Sequence, residues 1–213
     1  GVLSCLVQLL DSLPAGSRVV IASRNTPDLR LGRLRASGKL LEIDAQRLRF
    51  SLDETRAFFS ARTGEQLPEG QVQLLQGKTE GWVAALWLAW VAMEHHPRRA
   101  VFITDFSGTE KSIADYLAEE VLSQQPAPVR NLLLCTSILR DISAPLCHVL
   151  VPDVQAETLL QQLASANAFL IPTTDRPGDQ AGQWRYHNLF ASFLRAQLHK
   201  QMPQEVPRLH RAA

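Results

Sequence analysis

Gly182-Gln183-Trp184-Arg185-Tyr186-His187-Asn188-Leu189-Phe190-Ala191-Ser192-Phe193-Leu194 is the stretch on which the fold turns. Its first part reads as a short strand, Trp184 to His187, that passes without a breaker into a helix. Leu189, Phe190, Phe193, Leu194 and Leu198 share one stripe of that helix, the spacing an amphipathic helix requires. The junction sets an imidazole beside the first turn, where free backbone N–H groups favour an anion. A neutral His187 can accept a hydrogen bond there, and a protonated one adds charge toward a phosphate. The same position suits a capping or core histidine, and this stretch alone leaves both roles open.

Working outward, Phe169-Leu170-Ile171 reads as the partner strand, joined to Trp184-Arg185-Tyr186 by a loop from Thr173 to Gly182 that carries Asp175, Pro177 and Gly178. Four helices precede the hairpin. The first holds Ile113, Tyr116, Leu117 and Val121; the second holds Val129, Leu132, Leu133 and Ile138 and is begun by Pro126 and Pro128. Ser143-Ala144-Pro145 opens a third, and Asp153 is placed to cap a fourth with Leu159, Leu160 and Leu163 inward. Helices, a hairpin and a final helix make a winged helix, with the hairpin loop as its wing. The helix that would enter a DNA groove is Gln155 to Asn167. No Lys or Arg occurs anywhere from Asp141 to Asp175. DNA modules take most of their affinity from phosphate neutralisation and read bases largely with Arg. The expectation is a packing or regulatory winged helix.

Residues 46–107 read as a small helical bundle. Ser51-Leu52-Asp53-Glu54 fits the capping box, in which the Ser oxygen and the Glu side chain each satisfy a free N–H. Phe58 and Phe59 supply that helix's buried face, and Val72, Leu74 and Leu75 mark a second helix. Gly81 precedes the apolar run Trp82 to Met93, expected as the central helix because all its sides are apolar. Gly77-Lys78-Thr79 imitates the end of a phosphate-binding loop. The motif needs a glycine five residues before Gly77, where Val72 stands, and no strand precedes it. It is read as a helix end.

In residues 1–45, Val2, Leu3, Leu6, Leu9 and Leu10 form a helical stripe closed by Leu13-Pro14-Ala15-Gly16. Arg18-Val19-Val20-Ile21-Ala22 is a β-branched run of the kind buried on both faces of a parallel sheet, and Leu40-Leu41-Glu42-Ile43 reads as a second strand. Ser23-Arg24 falls at the C-terminal end of the first strand, where open α/β sheets place ligand contacts. The fold class expected is therefore mainly α with minor β: the end of a parallel α/β nucleotide-binding domain over 1–45, a helical bundle or lid over 46–107, a winged helix over 108–200, and the start of a further helical arm over 201–213.

The 213 residues carry a net charge of +1, so bulk charge argues for neither nucleic acid nor membrane as a partner. The longest apolar run is too short to span a bilayer. Cys5, Cys135 and Cys147 show no metal spacing and read as reduced core thiols of a cytoplasmic protein. No nucleophile–base pair and no metal cluster is legible, so neither catalytic residues nor metal ligands are assigned. Gly1 falls inside a helical pattern without a Met, which reads as a piece of something longer.

Six phrases in order along the chain carry a resemblance: Val20-Ile21-Ala22-Ser23-Arg24, Leu48-Arg49-Phe50-Ser51, Thr79-Glu80-Gly81-Trp82-Val83-Ala84-Ala85-Leu86, Ala114-Asp115-Tyr116-Leu117 with Glu119-Glu120-Val121-Leu122, Thr136-Ser137-Ile138-Leu139, and Tyr186-His187-Asn188-Leu189-Phe190. With them the chain resembles the nucleotide-binding oligomerisation region of STAND ATPases, specifically the MalT-like, LuxR-family large ATP-binding transcriptional activators. That resemblance implies ATP or ADP with Mg²⁺ in the intact protein, with no tight nucleotide binding by these residues alone. It further implies a small-molecule inducer sensed by a downstream arm, self-association in the ATP state, and DNA binding by a separate C-terminal helix-turn-helix. It places Arg24 as a sensor of the terminal phosphate, Gly81-Trp82 beside the adenine, and His187 on a nucleotide phosphate in the closed state. Val83 departs from the Pro many relatives have there. The competing expectation is a helical and winged-helix interaction scaffold that never meets nucleotide.

The cation-free groove helix has a direct consequence. Fluorescence anisotropy with random and promoter duplexes at physiological salt is expected to show no submicromolar binding by these residues. Tight binding with a steep salt slope contradicts it.

Overall fold

The computed structural model describes residues 2–14, 16–23, 27–94, 96, 98–165, 169–173 and 182–213. Ser51 starts the lid as its spacing requires: its hydroxyl accepts from the Glu54 amide, and the Glu54 carboxylate accepts from the Ser51 amide at 2.8 Å. That double cap opens the third helix of the chain, so α1 is Val2–Ser12, α2 Leu31–Ala36 and α3 Leu52–Thr63. Next come α4 (Glu69–Thr79), α5 (Val83–Glu94) and α6 (Arg99–Asp105). Phe59, Val72, Leu75, Leu86, Ala89, Met93 and Ile103 are fully or almost fully buried between these helices. Helix α6 escaped the sequence reading. Its placement explains the decoy: Lys78 donates to the carbonyls of Thr104 and, at 2.8 Å, Phe106, so it caps the C-terminus of α6 rather than holding phosphate.

The bundle differs from expectation in its details. Leu74 points outward, and Trp87 of the all-apolar α5 is 43% exposed. The Arg62 guanidinium covers this aromatic face, lying 4.7, 4.3 and 4.9 Å from the rings of Phe58, Trp87 and Trp90.

Downstream, α7 (Lys111–Tyr116) runs into one π-helical stretch, Leu117–Leu122, and then α8 (Ala127–Thr136) begins with Pro128 in its first turn. A short strand β1 (Ile142–Ser143) precedes α9 (Ala144–Leu150), and α10 spans Ala156–Ser165. Asp153 lies in a turn ahead of α10 and is not its cap. The hairpin is β2 (Leu170–Pro172) with β3 (Gln183–Tyr186), antiparallel with Leu170 opposite Tyr186. The sheet also has β1, paired to the other edge of β3 with Ile142 opposite Trp184. Two residues are too few for a periodic signal, which is why β1 was not legible. The expected wing falls mostly on residues 174–181, outside the described residues.

Helix α11 (Asn188–Gln201) buries Leu189, Phe190, Phe193, Leu194 and Leu198, the stripe read from its spacing, and α12 (Val206–Ala212) follows with Leu209 buried. Of the cysteines, Cys135 and Cys147 are buried and Cys5 is exposed. Burial pushes the Cys147 thiol up to about 11, so it stays protonated and inert.

The two strands expected before residue 45 are not formed. Residues 18–23 and 40–44 lie outside any ladder, with Val20 95% and Leu41 75% exposed. A strand with β-branched residues on both faces needs neighbours to take its N–H and C=O groups and to cover its side chains. The described residues offer none. Leu29 is the buried residue of the described stretch up to residue 48.

Phe193, 1% exposed in the centre of α11, is expected to cost about 3–5 kcal/mol on replacement by Ala. Urea denaturation measures this; a loss below about 1 kcal/mol contradicts the packing described.

Candidate functional site: the junction of lid and winged helix

Helix α4 ends on two residues in the left-handed region, Glu80 at φ 49° and Gly81 at φ 72°. Gly81 is needed for contact as well as conformation. A Cβ there would stand 2.2 Å from the Phe50 carbonyl oxygen, and the Phe50 amide donates to the Gly81 carbonyl at 2.8 Å. Gly108 plays the same part on the other side: an added Cβ would lie 1.8 Å from the Leu189 carbonyl, while the Gly108 amide donates to Ser192 Oγ at 3.0 Å. The first approach closes the lid on itself at the end of α4, and the second seats the start of α11 on the turn that follows α6.

His187 sits in the crease. It is 1% exposed and both ring nitrogens are engaged. Nδ1 accepts from the Leu189 amide at 3.3 Å, capping α11, and Nε2 pairs with the Thr79 carbonyl at 2.8 Å. A carbonyl can only accept, so the ring is the neutral Nε2–H tautomer, with Nε2–H donating to Thr79. Burial holds the imidazole below its ordinary pKa, against the pull of Glu80 and of the Thr79 carbonyl. Trp82 covers it, with its ring 5.9 Å from His187, 4.9 Å from Phe169 and 5.7 Å from Tyr116. Phe169, itself left-handed at φ 59°, accepts the His187 amide at 2.8 Å.

Glu80 supplies the charge. Arg185 grips its carboxylate with both ends of the guanidinium, Nη1 to Oε1 at 3.0 Å and Nη2 to Oε2 at 2.8 Å. The Asn188 amide, first in α11, donates to Oε1 at 2.9 Å, and Arg49 Nη1 approaches Oε2 at 3.3 Å. Burial pushes the carboxyl up, but the Arg185 hydrogen bonds, the charge His187 takes on in acid, the Asn188 amide and the Arg185 charge outweigh it and bring the pKa down to about 2. The Asn188 side chain completes the seam by donating to the Gly77 carbonyl at 3.0 Å.

Three sequence-assigned residues, Gly81, Trp82 and His187, thus come together; Arg24 lies outside the described residues. Glu80, Arg185, Arg49 and Asn188 were missed as site residues. Glu80 carried a readable signal, a charged residue just before the glycine of a helix end. Arg185 carried none, since an outward Arg in a strand is ordinary. Among the described residues no cluster of His, Cys, Asp or Glu could hold a metal, and no helix is long and apolar enough to cross a membrane.

Residues 118–206 match the family described as the MalT winged helix domain. The chain carries a MalT-type winged helix. Over 203 residues, 94% of the chain, it is 33% identical to the HTH-type transcriptional regulator MalT of Klebsiella pneumoniae. It is likewise 33% identical over 202 residues to MalT of Yersinia pestis. Over 205 residues, 96% of the chain, it is 31% identical to the serine/threonine-protein kinase PknK of Mycobacterium tuberculosis. It spans 22% of those MalT proteins and 18% of PknK, so it matches a segment of much larger relatives.

Because the folded state holds His187 neutral, stability that is full above its unfolded pKa should fall as pH drops below about 6.5, where the unfolded imidazole takes up a proton. Urea denaturation at pH 8, 6.5 and 5 is expected to show that decline in the wild type and a shallower one in His187→Gln. Equal pH slopes in the two proteins contradict the buried neutral histidine.

Proposed function

We propose that this chain is the lid and winged-helix relay of a large, nucleotide-switched transcriptional regulator, and that its junction couples the ADP or ATP state to opening and self-association. The observation that carries the reading is the convergence of Glu80, Gly81 and Trp82 of the lid with Arg185, His187 and Asn188 of the winged helix in one seam. The relatives support it. One segment recurs in proteins named as a transcriptional regulator and as a protein kinase, whose outputs differ, so the shared part serves a step before output. Helix α10 is in keeping with this, since it offers no Lys or Arg to a DNA groove.

ATP or ADP with Mg²⁺ is the ligand of the intact protein in this reading. The residues described here do not fit it. His187 has no free ring nitrogen and Gly81 is closed against Phe50, so no phosphate or adenine contact is assigned to them. The chain's own work is to hold the lid and winged helix together or let them part. The inducer and the DNA-binding helix-turn-helix are assigned to other parts of the polypeptide. The filled junction also favours a second reading, a scaffold indifferent to nucleotide.

One variant separates the two. Asn188→Ala removes an exposed seam hydrogen bond, worth about 0.5–1.5 kcal/mol, and should shift a closed–open ratio by roughly two- to tenfold. In the full-length protein, uninduced reporter activity and ATP-dependent self-association by sedimentation velocity should both rise, with the melting temperature little changed. Unchanged activity and assembly in a well-folded variant would leave the scaffold standing.

A further inference from the structure

We propose that Glu80 is the latch of this junction: a single carboxylate on the left-handed cap of α4 that holds the winged helix through Arg185 and the first amide of α11, so that its displacement frees both at once. The inference rests on the reading that the seam is the moving part.

Helix caps in the left-handed region belong to Gly or Asn, because a Cβ crowds the neighbouring carbonyl there. Glu80 takes that conformation at φ 49° and ψ 33° although a glycine follows it directly. Strain of this kind persists where the surrounding structure over-determines it, and it clusters at clamps and switches. The left-handed turn aims the side chain off the end of α4, straight at the start of α11.

The carboxylate accepts both arms of Arg185, the Asn188 amide and Arg49, so its oxygens are filled from both sides of the seam. Arg49 belongs to the lid and also reaches the Glu80 carbonyl at 3.4 Å, so it orients the carboxylate without crossing. Arg185 and Asn188 belong to the winged helix and do cross. A guanidinium fork matched to a carboxylate fixes angle as well as distance, which a single contact cannot do.

Exposure distinguishes Glu80 from His187. The side chains of Glu80 and Arg185 are 12% and 38% exposed, so water reaches one edge of the pair. Such a pair binds more firmly than a surface salt bridge yet can separate without stranding charges in a dry interior. His187 lies beneath Trp82 and Phe169, and freeing it would unpack three rings. It is the pin about which the seam is built; the carboxylate is the part that can let go.

Hydrogen exchange on the full-length protein tests this with Glu80→Gly, Glu80→Gln, Arg185→Gln and the Glu80→Gln/Arg185→Gln double variant. A residue that merely caps α4 gives a clear result: Glu80→Gly relieves the left-handed strain, so the seam exchanges no faster than in the wild type. A latch gives the opposite. Peptides covering 77–82 and 183–190 should exchange about tenfold faster in every variant, the double no faster than the singles, while peptides of α3, α5 and α8 stay protected. Unchanged seam exchange, additive single effects, or equal loosening of the core peptides overturns the latch. Uninduced reporter activity is read in parallel. If exchange rises as described and activity does not, the latch stands and the regulatory reading of the seam falls.

Discussion

The Glu80 carboxylate, held by Arg185, Arg49 and the Asn188 amide, is the interaction on which the arrangement of the two halves depends. Phe59, Leu75 and Leu86 of the lid and Leu132, Leu160 and Phe193 of the winged helix belong to one continuous apolar core. The features that fix the angle between the halves are fewer. A ring cluster around Trp82 covers the seam, and one charged hub sets the angle. Packing alone tolerates sliding, since apolar contact is non-directional. A forked ion pair and a helix-capping histidine do not.

Much of this fold was legible because helical periodicity and capping are local. The stripe of α11, the capping box at Ser51 and the prolines opening α8 and α9 each depend on residues within a turn or two. The strands failed or succeeded by company. Trp184 to Tyr186 found a partner in Leu170 to Pro172, whereas Arg18 to Ala22 and Leu40 to Ile43 have none among the described residues and remain outside any ladder. Strand propensity is a statement about pleated, half-buried surfaces, and without a surface it decides little.

The site divides along the same line. His187 stood out because a strand–helix junction is visible in sequence, and its role as α11's cap follows from that position. Its pairing with Thr79 spans 108 residues, and no local rule reaches so far. Glu80 and Arg185 are likewise 105 residues apart. Glu80 reads as a charge at a helix end and Arg185 as an outward charge in a strand, and only the folded chain turns them into a pair. The family resemblance singled out Gly81, Trp82 and His187, which the fold brings together, but gave no map of who holds whom.

A distance across the seam tests the account most directly. In a full-length protein with the exposed Cys5 replaced by Ser, spin labels at Leu74 on α4 and Lys200 on α11 report the separation of lid and winged helix. The account predicts one narrow distance for the closed wild type, and in Glu80→Gln a second, longer population under identical conditions. A single narrow distance shared by both proteins would show that the junction is welded by packing and that Glu80 does not hold it shut.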